Sequence, residues 1–322
     1  MPDPSPDDSR LLEPSNTAYE LTLTTDQRID QDIDESLLET ENDSEFKAKK
    51  LGIGFWICIG WLALVTLLAI FAPLLQSWGI IADPYKLSRN RFAPPGPGHW
   101  LGTDDLGRDE LSRLIFGGRV SLSVGFASIA LGLVVGTTMG LLAGYMKGWV
   151  DNVLMTAVDI ILAFPALLLA MAIITFTDSK DIAHISLAIG IVAVPSIARL
   201  VRANTLSFRE REFVLASRTL GASHARVLTR EILPNVVPPV LSFAVIGVAV
   251  AIAAESGLAF VGISVPLPTP TWGGMINDAR QHLSENPQLV IIPCTVLVLT
   301  IMSLYFAGDR LRQYFDVKES VL

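Results

Sequence analysis

The chain has 322 residues, of which 51% are hydrophobic and only 17% are charged. Soluble proteins carry about 25% charged residues, so the deficit requires either lipid-facing surface or an unusually large core. The formal net charge of −8 originates at the N-terminus, because residues 1–45 contain 14 acidic residues and two arginines, which leaves +4 for the remaining chain.

Residues 1–45 form an acidic, polar tail with three prolines among its first six residues. The tail lacks a sustained hydrophobic period, so it cannot bury enough apolar surface to offset the entropy of ordering. We predict a disordered cytoplasmic tail, with a partner-binding tail as the alternative. Its acidic start also argues against a secretory signal peptide, which begins with basic residues and continues into an apolar run.

Six runs of the chain are long and apolar enough to cross a membrane, since a helix needs about 20 apolar residues to do so. The runs are residues 51–75, 120–146, 152–177, 182–204, 235–262 and 288–308. We therefore predict an all-α polytopic membrane protein with six transmembrane helices. Its expected parts are the tail, a first transmembrane helix within 46–75, an extracytoplasmic loop at 76–119 and a five-helix core at 120–317.

Lysine and arginine indicate which side of the membrane each loop faces, because short cytoplasmic loops carry more of both. Lysines and arginines are concentrated in every second segment outside the predicted spans, namely 46–50, 147–151, 199–231 and 309–322. The loop at 76–119 is an exception, with six bases against five acids. The other segments place both termini in the cytoplasm.

Glycine and proline recur within the predicted spans. Glycine follows a four-residue spacing that places a stripe on one helix face and favours close helix packing, at Gly132, Gly136, Gly140 and Gly144. Proline removes a backbone hydrogen bond and bends a helix, and it occurs at Pro165, Pro195, Pro238, Pro239 and Pro293.

The segment from Arg199 to Glu231 is too polar to span a membrane and contains seven arginines. Its spacing predicts two short helices that are joined at Gly221, the second capped by Ser223. The first helix has a short apolar face of Phe213, Ala216, Ser217 and Leu220. Such a pair of helices could lie on lipid headgroups or dock into a groove of a soluble partner, and the pattern alone favours neither.

Asp159 and Glu255 are acidic residues inside predicted spans, where ionisable groups are costly and usually face a bundle interior or water. We consider both as candidate residues of a solute path, with structural contacts between helices as the alternative. Acids also cluster in the 76–119 loop, and we expect them to stabilise the fold of that loop, with contact to a binding protein as the alternative; they are Asp104, Asp105 and Asp109.

The sequence REFVLASRTLGAS at 211–223, followed by EILPN at 231–235, resembles the coupling motif of ABC importer permeases. Leu215 stands where the family usually has Glu, and Ser217 replaces the second Ala, whereas the spacing to the later Gly and Leu-Pro is kept. The resemblance implies an ATPase-coupling role for Phe213, Leu215, Ala216, Ser217, Leu220, Gly221, Ala222, Leu233 and Pro234.

Other segments resemble the C-type permease subunits of dipeptide and oligopeptide importers. They are LGTDDLGRD at 101–109, RVSL at 119–122, DIILAFP at 159–165, ESGLAFVG at 255–262 and PTWGG at 270–274. The resemblance covers about residues 50–317, so it implies the fold of type I ABC importer permeases, with six transmembrane helices and a cytoplasmic coupling-helix insert.

The family resemblance implies a permease subunit of an ATP-driven importer of peptides or related small solutes, in the bacterial cytoplasmic (inner) membrane. The expected partners are a homologous second permease, two ATP-binding subunits and an extracytoplasmic solute-binding protein, with no nucleic acid. The chain lacks a Gly-x-x-x-x-Gly-Lys-Ser/Thr loop, so we expect ATP to be bound by the partners. We predict no catalytic or cofactor site in this chain. We also predict no metal site, because its four histidines are scattered without ligand spacing.

Two other classes of protein share part of this pattern. An ATP-independent secondary transporter would also have broken helices, but it should show internal repeats and acids near the bilayer midplane. A membrane-embedded enzyme would need paired acids, a Ser-His arrangement or a metal cluster, whereas only two isolated acids lie within the spans.

Overall fold

The computed structural model describes residues 52–177 and 179–319, with side chains up to residue 315; the predictions for residues 1–45 lie outside this part. The described chain is helical, and we number its main helices α1 to α9. They are α1 (Ile53–Ser77), α2 (Glu110–Met146), α3 (Gly148–Leu162), α4 (Ala166–Thr177), α5 (Ile182–Arg209), α6 (Glu212–Thr219), α7 (His224–Phe260), α8 (Trp272–Ala279) and α9 (Gln288–Glu319).

Five of these helices are long and apolar enough to cross a membrane, namely α1, α2, α5, α7 and α9. A sixth crossing is present if α3 and α4 together form one bent span. The predicted all-α architecture is therefore confirmed, with five to six candidate spans among the described residues where six were expected.

The run at 152–177 is not one continuous helix, contrary to our expectation. It consists of α3 and α4, whose axes differ by 89°. The break falls immediately before Pro165, which has no N–H to donate and also disfavours helical backbone at Phe164. Proline had been expected to bend this run, but the bend is sharp enough to separate two helices.

Several helices extend beyond the apolar runs that predicted them. The second helix, α2, begins at Glu110 rather than at residue 120, where the apolar run begins. Arg113 lies inside the helix because its charge is buried beside an acidic partner, Asp104, and does not need contact with water. At the other end of the molecule, α7 begins at His224 and passes through a π-helical stretch, Val227–Ile232, before it enters the predicted fifth span. The second short helix of the polar segment is thus continuous with a span.

The glycine stripe of α2 packs directly against α5, as predicted. A Cβ atom added at Gly140 would lie 2.5 Å from the carbonyl oxygen of Ala198 and 2.6 Å from the Cβ of Val201. At Gly144 it would lie 2.8 Å from the Cβ of Thr205. Only glycine lets the two backbones approach this closely, so the stripe joins residues 132–144 of α2 to α5.

A single large apolar core holds the spans together around α2, α5 and α7. Val124, Ile185 and Ile252 are fully buried in it, one from each of these helices. A second, smaller core lies near the end of the bundle that carries α6. The bundle thus has a rigid centre and a separately packed base for the polar segment.

Candidate functional site

The predicted polar segment (Arg199–Glu231) is not wholly an insert between spans, because α5 continues to Arg209. The part beyond α5, which we call the handle (Glu210–Glu231), contains the predicted helix pair. Its first helix is α6, and Gly221 follows with a φ of +85°, in the left-handed region that favours glycine. The Ser223 hydroxyl then accepts a hydrogen bond from the backbone N–H of Arg226 at 3.4 Å. The turn at Gly221 and the cap at Ser223 are both confirmed.

The handle is fixed to the bundle by buried side chains. Val214 of α6 is fully buried and belongs to the second core together with Val201, Val227 and Ile232. The Tyr145 hydroxyl lies 2.9 Å from His224 Nδ1, which links the end of α2 to the start of α7. A displacement of α6 would therefore move the ends of several spans with it.

Three apolar side chains of α6 and its C-terminal end are open to solvent, and Phe213 and Leu220 share one face of the helix. Phe213 and Leu215 are exposed, and Leu220 at the end of the helix is 88% exposed. Among the other predicted coupling residues, Ala216, Gly221 and Pro234 are exposed, and Ser217, Ala222 and Leu233 are half-buried. The sequence pattern indicates apolar residues in this helix. It does not show that Val214 faces the bundle whereas its neighbours Phe213 and Leu215 face solvent.

Asp159 is held by an ion pair between α3 and α5. Its Oδ1 accepts a hydrogen bond from Arg199 Nη2 at 2.7 Å, and both side chains are more than half exposed. Nearer the handle, Arg202 donates two hydrogen bonds of 2.6 Å to the carboxylate of Asp151. Neither pairing could be predicted from a local pattern, because the partners are 40 and 51 residues apart.

Glu255 is fully buried near the other end of α7. Its carboxylate accepts hydrogen bonds from the Ser121 hydroxyl at 3.0 Å and from the Ser264 hydroxyl at 2.9 Å. The Ser121 hydroxyl also accepts the backbone N–H of Trp272 at 3.3 Å. Glu255 therefore joins α2, α7 and the start of α8, and it is not brought together with Asp159.

The acids of the 76–119 loop stabilise the loop's own fold, as expected for Asp104 and Asp109. Asp104 accepts a hydrogen bond from Arg108 Nε at 2.6 Å and lies 3.4 Å from Arg113 Nε. Asp109 caps α2 by accepting the backbone N–H of Ser112 at 2.9 Å. Asp105 is more exposed and lies 3.9 Å from Arg108.

Asp278 of α8 completes this charged group, although the sequence offered no hint of its proximity. It lies 3.5 Å from Arg113 and 3.9 Å from Arg108. Burial raises the pKa of the Asp278 carboxyl, and the two arginines act in the opposite direction. The charged group thus ties the loop and the start of α2 to α8.

The amino-acid sequence matches a known family over more than half of its length. Residues 136–320 match the binding-protein-dependent transport system inner membrane component. The chain is 39% identical to the dipeptide transport system permease protein DppC of Alkalihalophilus pseudofirmus, over 78% of this chain and 82% of the relative. It is 38% identical to the glutathione transport system permease protein GsiD of Pectobacterium atrosepticum, over 70% and 74% of the two chains.

The fold is also that of a solved transporter. The inward-facing MetNI methionine ABC transporter aligns with a TM-score of 0.54 at 21% identity, covering 63% of this chain and 96% of that one. A second crystal form of that transporter gives a TM-score of 0.51 at 22% identity. These similarities show a shared type I importer permease fold.

These comparisons define a class of membrane protein, the permease subunits of ABC importers. The chain belongs to the family of binding-protein-dependent transport system inner membrane components. It is a multi-pass membrane subunit, and its family implies partner proteins that bind the solute and hydrolyse ATP. Its relatives are permeases, which agrees with a subunit that performs no chemistry of its own.

Proposed function

We propose that this chain imports peptides or related small solutes as one half of a transport path. The relatives named for dipeptide and glutathione transport support this solute class, since glutathione is itself a short peptide. The other half would be a homologous second permease. Two ATP-binding subunits and an extracytoplasmic solute-binding protein would complete the complex, and ATP would be bound by those ATPase subunits.

The handle is proposed to dock into a groove on an ATPase subunit. The observation that carries this proposal is the exposure of three apolar side chains, Phe213, Leu215 and Leu220, on a helix that buried Val214 holds against the bundle. Phe213 and Leu220 lie seven residues apart and therefore share one face of the helix. Covering this face with a partner is favourable, at about 25 cal/mol for each Å² of apolar surface removed from water. Leu215, which stands where the family usually has Glu, is exposed on another side of the helix.

The anchoring contacts support a role in transmitting motion. The handle is continuous with α5 at one end and with α7 at the other. An ATPase that pulls on α6 would therefore act on two spans at once, and through Tyr145 on the end of α2. This arrangement would convert closure of the ATPases into a rearrangement of the path.

Docking of the handle to an ATPase implies a definite orientation in the bacterial inner membrane. The handle would be cytoplasmic, and so would both termini, in agreement with the positions of the lysines and arginines. The loop at 76–119 and helix α8 would face the extracytoplasmic side. The acidic tail would then extend into the cytoplasm.

Asp159 is proposed to line the path. Asp159 and Arg199 each lie about 15 Å from the handle end of their helices, at a rise of 1.5 Å per residue, and both side chains are exposed on this chain. A charged pair is costly against lipid, so a water-filled path or the second permease is its favoured neighbour. Glu255, the other candidate, has its carboxylate engaged by Ser121 and Ser264, which supports the structural alternative.

The experiment measures ATPase activity of the assembled complex with its binding protein, either empty or loaded with tri-alanine. Gly221→Val should reduce the stimulation by loaded binding protein about tenfold, because a β-branched residue is strained at positive φ by about 1–2 kcal/mol and would change the direction of the handle. Gly221→Asn is the matched control, since Asn tolerates this backbone conformation, and it should remain coupled.

An added Cβ at Gly221 meets nothing within 4 Å, so crowding does not account for a difference between the two variants. Equal, normal stimulation in both would overturn the coupling role. No stimulation of the unmodified complex by tri-alanine-loaded binding protein would overturn the proposed solute class.

A further inference from the structure

The loop at 76–119 contains six bases, although lysine and arginine are normally scarce in short extracytoplasmic loops. Two of the six, Arg108 and Arg113, are buried in the charged group that joins the loop to α8. The other four are exposed, and three of them lie within six residues of one another, at Lys86, Arg89 and Arg91. The fold of the loop therefore accounts for two bases and leaves a cluster of three at its surface.

This cluster belongs to residues 83–91, which we call the basic segment. None of its three bases has an ion-pair partner among the residues that the structure describes. Asp83 is the acid of the segment, and its Oδ1 accepts the backbone N–H of Tyr85 at 2.9 Å. Three positive charges against one negative leave the segment with a net charge of +2. An exposed cluster of one sign attracts groups of the opposite sign, so an anionic partner fits this surface.

The basic segment has a fixed backbone from which its bases project. The ring of Tyr85 packs edge-on against Phe116 of α2, with 6.5 Å between the ring centroids. Five residues further on, the carbonyl oxygen of Asn90 accepts a hydrogen bond from the Thr103 hydroxyl at 2.6 Å. The segment is thus held at both ends, and the exposed side chains between these contacts form a preformed surface.

The contact with α2 places the basic segment at the level of the lipid headgroups. Phe116 precedes the apolar run of α2, which starts at residue 120, by roughly 6 Å at a rise of 1.5 Å per residue. The headgroup region beyond each face of the hydrocarbon core is about 5–7 Å thick. Ile81 shares a buried cluster with Ile115, the neighbour of Phe116, so the chain that leads into the segment lies at the same level.

Exposed apolar side chains accompany the bases. Trp78 and Ile80 follow the end of α1 directly, Leu87 lies between Lys86 and Arg89, and all three are more than half exposed. Tryptophan at the end of a span and apolar residues beside bases are typical of surfaces that lie in the membrane–water interface. Because α1 is also the least buried of the five continuous candidate spans in the described chain, lipid is the expected neighbour of this surface.

We propose that the basic segment binds the phosphate of an anionic phospholipid in the outer leaflet. Lys86, Arg89 and Arg91 would contact the phosphate, whereas Trp78 and Leu87 would reach the boundary of the acyl chains. The bases would then anchor the loop at the membrane surface. The choice of leaflet rests on the proposed orientation, but lipid binding by the segment does not.

The test uses the full chain in its assembled complex, in vesicles made of equal parts of phosphatidylcholine and phosphatidylglycerol. A bimane fluorophore is attached at Asn90→Cys, in a chain that also carries Cys58→Ser and Cys294→Ser; Asn90 is exposed between Arg89 and Arg91. A nitroxide near the head of one acyl chain, on either lipid in turn, quenches the fluorophore on contact. Phosphatidylglycerol should be preferred about fivefold, the size expected of one base near an anionic surface.

Variants of the three bases separate charge from shape. Replacement of all three by Gln should reduce the preference to about one. The exchange Lys86→Arg, Arg89→Lys and Arg91→Lys should retain it, because attraction to an anionic surface depends mainly on charge. Lys180→Gln is the matched control, since Lys180 is an exposed lysine outside the basic segment, and it should leave the preference unchanged.

Equal quenching by the two lipids, or a preference that survives the triple Gln replacement, would overturn the lipid site. A fluorophore that neither lipid quenches, but whose emission responds to added binding protein only when the three bases are present, would also overturn it and assign the surface to that protein.

Two further readouts separate this proposal from the proposed function. External ascorbate reduces nitroxides of the outer leaflet, so it should abolish quenching in vesicles whose ATP-binding subunits face inward. Quenching that persists would overturn the proposed orientation and the choice of leaflet. Absence of ATP-driven tri-alanine uptake together with an intact preference for phosphatidylglycerol would overturn the proposed solute class and leave the lipid site standing.

Discussion

Glu255 shows how a carboxylate can be accommodated inside a membrane-spanning bundle. Both of its oxygens accept hydrogen bonds from hydroxyl groups, one on α2 and one beyond the end of α7. The same Ser121 hydroxyl also holds the first residue of α8. The carboxylate is thus the centre of a contact among three parts of the chain.

Replacement of Glu255 by Leu should destabilise the permease by about 2–4 kcal/mol, because it leaves the hydroxyls of Ser121 and Ser264 without their acceptor in a buried site. Glu255→Gln keeps one acceptor oxygen and should cost less than half as much. The thermal unfolding midpoint of the purified chain measures both. A stable Glu255→Leu variant with impaired uptake would instead indicate contact with the solute.

The presence of an acid at position 255 could be recognised from the sequence, but its partners could not. Ser121 is 134 residues away, and serine is common in spans for many reasons. The same applies to Arg113, which appeared as a loop residue and is a buried partner of Asp278, 165 residues away. Such pairings depend on tertiary packing, which no local period encodes.

Close packing between α2 and α5 is the main feature at the level of elements. The four-residue glycine spacing predicted a packing face, and the structure supplies its partner and its distances. Because the α2–α5 pair connects the outer charged group to the handle, this contact holds the two ends of the molecule in a fixed relation.

Gly140→Ala should lower stability by about 1–3 kcal/mol, the usual cost of overpacking, since the new methyl group would lie 2.5 Å from the Ala198 carbonyl oxygen. Gly60→Ala is its control, because a Cβ at this position of α1 meets nothing within 4 Å. Thermal unfolding of the two purified variants measures the difference. A Gly140→Ala variant as stable as Gly60→Ala would refute the packing described for α2 and α5.

The elements themselves were largely predictable, with a physical reason for each exception. The lengths of the apolar runs predicted the spans. Gly221 and Ser223 predicted the turn and the helix cap of the handle. The break between α3 and α4 was expected as a bend at Pro165, but its size of 89° depends on what packs around it. The start of α2 at Glu110 was not predicted, because Arg113 in its first turns is neutralised by partners such as Asp278 that are distant in the sequence.

At the scale of the whole molecule, the bundle joins two differently built ends. One end carries the handle, with exposed apolar side chains on α6, and the other carries the charged group of the 76–119 loop and α8. Composition and family motifs indicated the handle but not the charged group, whose members come from the loop, α2 and α8. We propose that an importer subunit of this kind receives solute at one end and the work of ATP hydrolysis at the other.

Binding of the handle to an ATPase subunit is tested most directly by site-specific cross-linking. A photoreactive benzoylphenylalanine in place of Leu220, which is 88% exposed, is irradiated in the assembled complex. The same group in place of Leu283, an exposed leucine between α8 and α9, is the control. We expect position 220 to cross-link to the ATP-binding subunit and position 283 not to do so. Cross-links from position 220 to phospholipid alone, or equal labelling from both positions, would contradict the account.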